Sequence, residues 1–345
     1  MSLAESMKVA QYDRYGDARD VLKIVSAKIP EPGPDELLIR VTASSVNPID
    51  CALRRGYGRA FFESRAGVTL PIRPGRDIAG EVVRMGPAVK GFSAGDAVYA
   101  CAFYGANAEY VVVPAAHAAI KPTSLSFREA AALPFAALTA WTALVKTAGL
   151  NERNTAGKRV VIPRGAGGVG SVGIQLIKAW GGYVASACST RNVELVRSLG
   201  ADWVIDYTSE DLQGLHDFDV AFDTSFDTEQ VLLDALKTHA GACYVSVVSP
   251  KLKLIDQFGL ELGIVEGERM LADRVRIQAA LGRGYHWAFA ELDGDALRAV
   301  AALVDAGKVK PVLNQVFPFE RIAEAHEYCE SGRAPGRIVI DLLHS

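Results

Sequence analysis

The sequence contains few cysteines, and their spacing matches no metal-binding or disulfide pattern. The five cysteines among the 345 residues are far apart, and no two of them form a CxxC pair. An odd number of widely spaced cysteines is typical of reduced thiols in a reducing compartment. We therefore expect neither a disulfide framework nor a cysteine-rich metal site. The cysteines are Cys51, Cys101, Cys188, Cys243 and Cys329.

The sequence also lacks a long apolar run and a strong net charge. No uninterrupted run reaches the roughly 18 residues of a membrane-spanning helix, and the start has no signal-peptide pattern. The formal net charge of −3 gives no general attraction to nucleic acid or to anionic membranes. We therefore expect no nucleic-acid partner and no membrane span. We expect a cytoplasmic location, or the mitochondrial matrix if a targeting segment has been removed.

Apolar residues are abundant enough to form two buried cores. Hydrophobic residues make up 50% of the chain and charged residues 22%, a balance that excludes general disorder. At this length two domains are the usual arrangement. The first third has short β-rich runs between turn clusters, which predicts a compact barrel-like domain. The predicted strands there are residues 7–11, 36–43, 80–85, 97–101 and 109–113.

From residue 126 onward the pattern changes to helices that alternate with strands. Ser126 and Glu129 have the spacing of a capping box, and Pro134 separates that helix from a second one at residues 138–148. The alternation that follows predicts a parallel sheet with right-handed crossovers. Its predicted strands are residues 159–162, 183–187, 203–206, 220–222 and 243–248, and its predicted helices are residues 170–180, 193–199 and 229–238.

The last part of the chain is too short to fold alone and is expected to complete the first domain. It contains a predicted helix at residues 295–306, a loop at 311–319, a helix at 320–331 and a strand at 337–342. The predicted class is α/β. One discontinuous domain, residues 1–126 and 292–345, is expected to flank a continuous domain, residues 127–291.

A glycine-rich run lies between the first predicted strand of the parallel sheet and the helix after it. The pattern GxGxxG is weak alone, but the position between a strand and a helix is the context that a dinucleotide-binding loop requires. Glycine lets the backbone approach a pyrophosphate, and free N–H groups at the helix start face the anion. The sequence thus predicts that the diphosphate of a dinucleotide contacts Gly165, Ala166, Gly167, Gly168, Val169 and Gly170.

The segment after the second predicted strand indicates which dinucleotide is bound. Folds that prefer NAD place a carboxylate there for the ribose, whereas residues 185–191 contain none. Ser189 and Arg191 instead offer a hydroxyl and a guanidinium that can bind a 2′-phosphate. NADPH is therefore favoured over NADH. Arg191 has the alternative role of a solvent-exposed residue at a helix start.

Several motifs in the same order resemble the quinone oxidoreductase branch of the medium-chain dehydrogenases/reductases. They are the glycine run 165–170, LGADWVIDY at 199–207, SVNPID at 45–50, LTAW at 138–141 and GRAPGR at 332–337. Further motifs at 54–58, 75–77, 178–180, 285–289 and 303–308 resemble its mitochondrial reticulon-4-interacting subgroup. The resemblance implies a GroES-like barrel with a Rossmann domain, and NADPH as the hydride donor. It also implies a quinone or related activated carbonyl as acceptor, and a homodimer joined through the Rossmann sheet edge.

The resemblance also indicates how this chain differs from zinc-dependent relatives. Those relatives bind catalytic zinc through a cysteine in one loop and a Gly-His-Glu run in another. The matching runs here are Ser-Val-Asn at 45–47 and Gly-Arg-Asp at 75–77. Arginine is not a zinc ligand, and one carboxylate is too few for a catalytic site. We therefore expect no metal and a zinc-independent reaction.

Three residues are candidates for contact with the reacting groups. Asn47 and Thr139 match family positions beside the nicotinamide, with a turn residue before Pro48 and a helix-surface threonine as the alternatives. Tyr57 lies between two glycines, where it can stack on an acceptor, donate a proton or remain an ordinary loop residue. Asp50 either orients Asn47 or caps a helix at residues 51–55.

The resemblance assigns further residues to the cofactor cleft. Lys178, Ser189, Tyr207 and Arg333 match positions at the adenosine-phosphate end or along the cleft, and Val247 matches one near the nicotinamide. Val247 is explained equally well as a core-packing residue. Lys178 and Tyr207 are explained equally well as ordinary solvent-exposed residues.

Arg164 departs from the family pattern, because relatives carry glycine or alanine at that position. Its side chain either disturbs the turn or clamps the pyrophosphate.

Two functions other than quinone reduction remain open from the sequence. Reduction of a carbon–carbon double bond in an enone or enoyl thioester uses the same hydride geometry. A cofactor-sensing interaction protein would keep the fold without turnover.

Overall fold

The computed structural model describes residues 5–65, 67–238 and 241–343. They form two compact units. Unit 1 comprises Met1–Phe135, Leu292–Ala306 and Pro311–Ser345, and unit 2 comprises Ala136–Glu291 and Gly307–Lys310.

Fifteen strands are formed by the described residues. In chain order they are β1 (Ser6–Gln11), β2 (Lys23–Lys28), β3 (Glu36–Val46), β4 (Asp77–Met85), β5 (Ala97–Cys101), β6 (Tyr110–Pro114), β7 (Ala118–Ile120), β8 (Arg159–Pro163), β9 (Tyr183–Cys188), β10 (Trp203–Asp206), β11 (Val220–Asp223), β12 (Ala242–Ser246), β13 (Arg283–Trp287), β14 (Leu313–Pro318) and β15 (Arg337–Asp341).

Twelve α-helices accompany them in the same part of the chain. They are α1 (Ala18–Val21), α2 (Pro48–Arg54), α3 (Arg59–Arg65), α4 (Phe127–Ala130), α5 (Pro134–Trp141), α6 (Gly168–Ala179), α7 (Val193–Ser198), α8 (Glu229–Ala235), α9 (Lys251–Phe258), α10 (Leu260–Ala280), α11 (Gly294–Asp305) and α12 (Ile322–Glu330). A single π-helical turn, Thr142–Thr147, continues α5.

Unit 1 is built on a seven-stranded sheet with the order β14-β15-β3-β4-β5-β7, and β6 also pairs with β3. All of these pairs are antiparallel except β14 with β15. The long strand β3 is buried along nearly its whole length, because its two faces pack on different apolar clusters. The segment that follows residue 310 adds β14 and β15 to this sheet.

Unit 2 contains a fully parallel six-stranded sheet with the order β10-β9-β8-β11-β12-β13. This is the doubly wound order of a Rossmann fold, in which the strand order reverses between β8 and β11. The crevice at this reversal, outside the carboxyl ends of the strands, is where such sheets bind ligands. The predicted α/β class and its Rossmann sheet are confirmed.

Local sequence signals explain where several helices begin. Ser126 and Glu129 form the predicted capping box at α4, with Ser126 N donating to Glu129 at 2.8 Å. Pro134 does not interrupt a helix but occupies the start of α5, where the missing N–H costs nothing.

Two parts of the fold differ from the sequence-based expectation. Residues 311–319 were expected as a loop, but β14 lies there, because its backbone pairs in parallel with β15. The charged stretch between residues 250 and 282 forms α9 and the 21-residue helix α10, which the sequence did not predict.

One helical stretch among the described residues, Phe127–Thr147, has the length and apolar composition of a membrane span, although none was expected. Of its most apolar window, 72% is buried inside the protein, as in the core helix of a globular domain.

Candidate functional site

The glycine-rich loop of unit 2 connects β8 to α6 through close backbone packing. Gly165 N donates to Ala187 O at 3.2 Å, and Gly167 N donates to Arg164 O at 2.9 Å. A Cβ at Gly165 would overlap Ser186 Oγ, and one at Gly170 would lie 2.5 Å from Arg164 O. Glycine is therefore required at both positions by the protein itself.

The start of α6 fits the diphosphate of a dinucleotide. Gly167 is the N-cap of this 12-residue helix, and no side chain among the described residues caps its first turn. A Cβ at Gly167 would meet only Arg164 O, at 3.3 Å, so packing restricts this position less than Gly165 or Gly170. Uncapped N–H groups and an open backbone are what a pyrophosphate needs for close approach.

Arg164 adopts a left-handed backbone conformation, with φ of 57°, which is uncommon for a residue other than glycine. Its side chain is exposed and forms no ion pair or hydrogen bond with any residue in the described part of the chain. The turn thus tolerates the arginine, and the guanidinium remains available to an anion.

The predicted adenosine-end residues of unit 2 lie close together. Parallel pairing of β9 with β10 brings Asp206 opposite Cys188, and Tyr207 N donates to Cys188 O at 3.1 Å. Ser189 accepts a hydrogen bond from Asn192 at 3.1 Å, and the ring of Tyr207 is 54% exposed. Arg191 is exposed two residues further along.

Asp206 is a carboxylate at this end that the sequence analysis missed. It accepts hydrogen bonds from Thr208 N at 3.0 Å and Thr208 Oγ1 at 2.7 Å. Hydrogen bonding from Thr190, followed by that from Thr208, lowers the pKa of Asp206. The carboxylate is therefore ionised near neutral pH and directed toward these two threonines.

The other three predicted cofactor residues, Lys178, Val247 and Arg333, do not share one environment. Lys178 Nζ donates to both carboxylate oxygens of Asp202, at 2.8 and 2.9 Å, and to Gly182 O at 2.9 Å. These three bonds use all the donors of an ammonium group. Val247 is half-buried directly after β12, and Arg333 is exposed in unit 1.

In unit 1, Asn47 is held in a buried polar cluster. Its Nδ2 donates to Asp77 Oδ2 at 2.8 Å, a pairing that fixes the orientation of the amide because a carboxylate can only accept. Asp77 also accepts from Arg337 at 2.5 Å, from Phe135 N at 2.6 Å and from Ser45. Asn47 Oδ1 is buried and has no hydrogen-bond partner among the described residues. Asn47 is also the N-cap residue of α2 and forms a capping box with Asp50, so this oxygen lies beside the N–H groups of the first helical turn.

Arg337 is part of this cluster, and the sequence analysis did not identify it. It is 5% exposed in β15, where the other residues are apolar apart from Asp341. A charged residue at a core position of a strand is the signal that could have identified it.

A second buried ion pair lies beside the cluster. Arg76 Nε donates to Asp50 Oδ1 at 3.2 Å, and Asp50 Oδ2 accepts from Asn47 N at 3.0 Å. Burial raises the pKa of Asp50, and the charge of Arg76 opposes that change. Asp50 is the third residue of α2 and forms a capping box with the N-cap residue Asn47. Asp50 therefore does cap a helix, but the helix begins at Pro48 and not at residue 51.

The donor set at these positions does not fit zinc. Asp77 is engaged by Arg337, Asn47 and Ser45, and the neighbouring Arg76 is a cation. A catalytic zinc needs about three thiolate, imidazole or carboxylate ligands. Within residues 5–65, 67–238 and 241–343, no group of three or more such side chains could hold a metal ion.

Two further predicted residues lie in different environments. Tyr57 of unit 1 borders a small pocket whose wall is mostly aromatic and which has room for no more than about one water molecule. Thr139 of unit 2 is 6% exposed on α5, so it is a buried residue and not a helix-surface threonine. The other residues around the pocket are Tyr12, Tyr15, Leu53, Arg59, Phe62, Val68, Ile72 and Tyr104.

Comparison with known proteins agrees with this architecture. The family model for the alcohol dehydrogenase GroES-like domain matches residues 33–123, and the model for zinc-binding dehydrogenases matches residues 199–340. The mitochondrial NAD(P)H oxidoreductase RTN4IP1 of Danio rerio is 40% identical, over 96% of this chain and 90% of its own length. The chloroplastic NADPH-dependent alkenal/one oxidoreductase of Arabidopsis thaliana is 36% identical, over 98% of this chain and 80% of its own length.

Among solved structures, the quinone oxidoreductase from Coxiella burnetii is similar, with a TM-score of 0.81 and 29% identity. The match covers 98% of this chain and 99% of that protein. The resemblance inferred from the sequence motifs is confirmed. The chain belongs to the medium-chain dehydrogenase/reductase superfamily, among its NAD(P)H oxidoreductases.

Proposed function

We propose that this protein transfers a hydride from NADPH to a quinone or a related activated carbonyl, without zinc. The observation that carries the proposal is the ion-paired cluster around Asp77, which occupies the positions where zinc-dependent relatives place metal ligands. An acceptor that is already electrophilic needs positioning and hydrogen bonds more than a Lewis acid. The name of the Coxiella burnetii structure supports a quinone as the acceptor.

Bound NADPH supplies the hydride, and the protein supplies position and polarity. The Oδ1 of Asn47 can accept a hydrogen bond from the nicotinamide end, because Asp77 holds the rest of the amide. Thr139 is proposed to hydrogen-bond the cofactor with its hydroxyl. Tyr57 is proposed to stack on the acceptor or to donate a proton, since other aromatic side chains surround it.

NADPH is proposed over NADH because of the residues at the ends of β9 and β10. Ser189 and Arg191 can bind a 2′-phosphate, and Tyr207 can cover the adenine. Asp206 acts against this preference, but hydrogen bonds hold its Oδ1 toward Thr208. At the diphosphate, we propose that the 165–170 loop binds through its backbone and Arg164 through its guanidinium. Arg333 is proposed to line the cofactor cleft and Val247 to lie near the nicotinamide. Lys178 lies in the last turn of α6, away from the diphosphate, and its three donors are bonded to Asp202 and Gly182.

A second candidate is reduction of the double bond in an enone. The name of the Arabidopsis thaliana relative favours it, because an alkenal or alkenone accepts hydride at carbon. Both reactions leave negative charge on a conjugated oxygen, so the same site serves either acceptor.

We further propose a homodimer joined through β13, which forms one edge of the six-stranded sheet. Leu281 and Phe289 lie on either side of this strand and are 46% and 56% exposed. These exposed apolar side chains support an edge that a second subunit covers. The mitochondrial name of the Danio rerio relative supports a mitochondrial location over a cytoplasmic one.

Cofactor oxidation by chelator-treated protein tests the proposed reaction. NADPH and NADH would each be tested against matched panels of quinones and enones. We expect faster oxidation of NADPH, quinones as the better acceptors, and no loss of rate after chelation. Loss of activity that zinc restores would contradict the zinc-free proposal, and binding of NADPH without turnover of any acceptor would favour a sensor.

A further inference from the structure

Two cysteines of unit 1 lie on helices that pack against each other. Cys51 belongs to α2 and is buried in an apolar cluster, and Cys329 belongs to α12 and packs at the border of the same cluster. The Cys51 Sγ lies 3.4 Å from His326 Nδ1 and donates to His326 O at 3.6 Å. Because His326 precedes Cys329 by one turn of α12, these contacts bring the Cys51 thiol to the turn that carries Cys329.

A charged contact joins the next turns of the same two helices. Arg54 Nη2 donates to Glu330 Oε1 at 2.7 Å, and Arg55 donates to both oxygens of the same carboxylate. Arg54 is fully buried, so this pair is not an ordinary surface ion pair. Glu330 directly follows Cys329, so contacts on both sides of Cys329 hold this turn of α12 against α2.

The two thiols also affect each other's ionisation. Interaction with the neighbouring Cys329 thiol, followed by burial, raises the pKa of Cys51. Cys51 therefore stays a protonated thiol in the reduced protein. Conversion of Cys329 to an uncharged oxidised form removes the first of these two effects, so it should make the Cys51 thiol more acidic and more nucleophilic.

The two thiols differ in their access to solvent. Cys51 is 3% exposed, whereas Cys329 is only partly buried. Oxidants in solution react with accessible thiolates, and a second thiol close by can then complete the reaction. Cys329 is thus placed to react first and Cys51 to react second.

We infer that Cys51 and Cys329 form a redox-modification site, in which a hydroperoxide oxidises Cys329 and Cys51 then closes a reversible disulfide. With hydrogen peroxide, the Cys329 thiolate attacks one oxygen, the S–O bond forms, the O–O bond breaks and hydroxide leaves. The Cys51 sulfur then attacks the sulfenic sulfur, so that the S–S bond forms and the S–O bond breaks. The displaced oxygen leaves as water with the Cys51 proton. The two thiols lose two electrons in all, and peroxide becomes two waters.

The disulfide protects unit 1 in two ways. It keeps Cys329 from further oxidation to the irreversible sulfinic acid, because the sulfenic acid is consumed. It also joins two helices that are far apart in the sequence, which restricts the unfolded chain. Reversible disulfides of this kind are the form that reducing compartments allow. The site is independent of the proposed hydride transfer.

Peptide mapping of wild-type protein tests the site without any substitution. The protein is treated with hydrogen peroxide, quenched in acid, alkylated to cap free thiols and digested. We expect a cross-linked pair of peptides that contain Cys51 and Cys329, and dithiothreitol should remove the cross-link. Untreated protein should carry the alkyl group on both cysteines. The oxidised protein should also unfold at a higher urea concentration than the reduced protein.

Two variants separate the paired reaction from oxidation of a single thiol. Cys51→Ala should leave Cys329 as a sulfenic acid, which dimedone traps, and more peroxide should convert it to sulfinic acid that dithiothreitol does not reverse. Cys101→Ala is the control, because Cys101 is also a buried cysteine of unit 1 and should not affect the cross-link.

Three results would overturn the inference. Peroxide could leave both thiols of wild type unreacted, or convert Cys329 to sulfinic acid without any cross-link. Cys329 could instead pair with a cysteine of a second chain, which a non-reducing gel would show. Cofactor oxidation is measured in a separate assay, so failure of the proposed function would leave the result of the peptide mapping unchanged.

Discussion

The glycine-rich loop of unit 2 consists of consecutive residues, whereas the buried polar cluster of unit 1 combines residues from three distant parts of the chain. The loop uses backbone N–H groups between β8 and α6. The cluster uses the side chains of Asn47, Asp77 and Arg337, and the Arg337–Asp77 pair spans 260 positions of sequence. One region therefore depends on the absence of side chains and the other on their exact pairing, and substitutions should affect the two regions in different ways.

Loss of the buried ion pair should have the largest effect. Arg337→Met leaves Asp77 buried without its cation, which should lower the free energy of unfolding of unit 1 by about 3 kcal/mol. Arg40→Met removes an exposed pair from the same sheet and should cost less than about 0.5 kcal/mol. Hydrogen exchange of β3 and β15 measures unit 1. All four tryptophans, Trp141, Trp180, Trp203 and Trp287, lie in unit 2, so their fluorescence should barely change.

As the pH falls, the free energy of unfolding should decrease in unit 1 at a higher pH than in unit 2. Burial lowers the pKa of His326 to about 3 from its ordinary value of 6.5, so the folded state keeps this side chain neutral while the unfolded state binds a proton below about pH 6.5. Stability is therefore complete above the ordinary value and is lost as the pH falls toward 3. At pH 5 the loss should be about 2 kcal/mol.

Labelling with a dithiodipyridine reagent, which reacts in acid, measures this effect. Cys101 of unit 1 should become reactive at lower urea than Cys243 of unit 2 as the pH falls, and His326→Gln should remove that difference. Equal acid sensitivity of the two units would contradict the assignment to His326.

Substitutions in the loop should separate cofactor contact from packing. Gly167→Ala adds a methyl group that makes one tight contact, 3.3 Å from Arg164 O, and that lies where a diphosphate would approach. NADPH affinity should therefore fall about tenfold, or ~1.4 kcal/mol, with a smaller loss of stability than Gly170→Ala causes. Gly170→Ala is the matched variant, because its Cβ meets a backbone oxygen at 2.5 Å. It should destabilise unit 2 in tryptophan fluorescence. If both substitutions had equal effects on NADPH affinity and on stability, the loop would have a packing role and no direct contact with the cofactor.

Substitution of Asp206, the carboxylate at the end of β10, should have a smaller effect on cofactor binding. Asp206→Asn removes a negative charge near the predicted 2′-phosphate site, so the preference for NADPH over NADH should rise about threefold, and less at high salt. The ratio of kcat/KM for the two cofactors measures it. Asp202→Asn, which breaks the pair with Lys178, shows whether that lysine contributes.

Substitution of Arg164 should have the smallest effect on stability. Arg164→Gly relieves a left-handed conformation but adds freedom to the unfolded chain, so the two changes should cancel to within about 0.5 kcal/mol. NADPH affinity should fall about threefold if the guanidinium contacts the diphosphate. Unchanged NADPH affinity in a calorimetric titration would show that Arg164 does not bind the diphosphate.

The same contrast explains what could be predicted from the sequence. The strands β8 and β9 and the helix α6 have local patterns, so their places and the loop between β8 and α6 were predicted. Asp206 was missed because its position next to the β9 end depends on strand pairing, which the local pattern does not contain.

The polar cluster was predicted only in part for the same reason. Asn47 was found through a motif, but its partner Arg337 lies in an apolar strand near the carboxyl end, and no local pattern connects them. The strand β14 was missed because it forms by pairing with β15, and the helix α10 because its charged, partly exposed faces lack a clear apolar stripe.

The most direct test of the account is calorimetric titration of chelator-treated protein with NADPH, in the wild type and in Gly167→Ala. The account predicts one NADPH per chain, tighter binding than NADH, no dependence on added zinc, and about tenfold weaker binding in the variant. Absence of NADPH binding to wild type, or equal affinity in the two proteins, would contradict it.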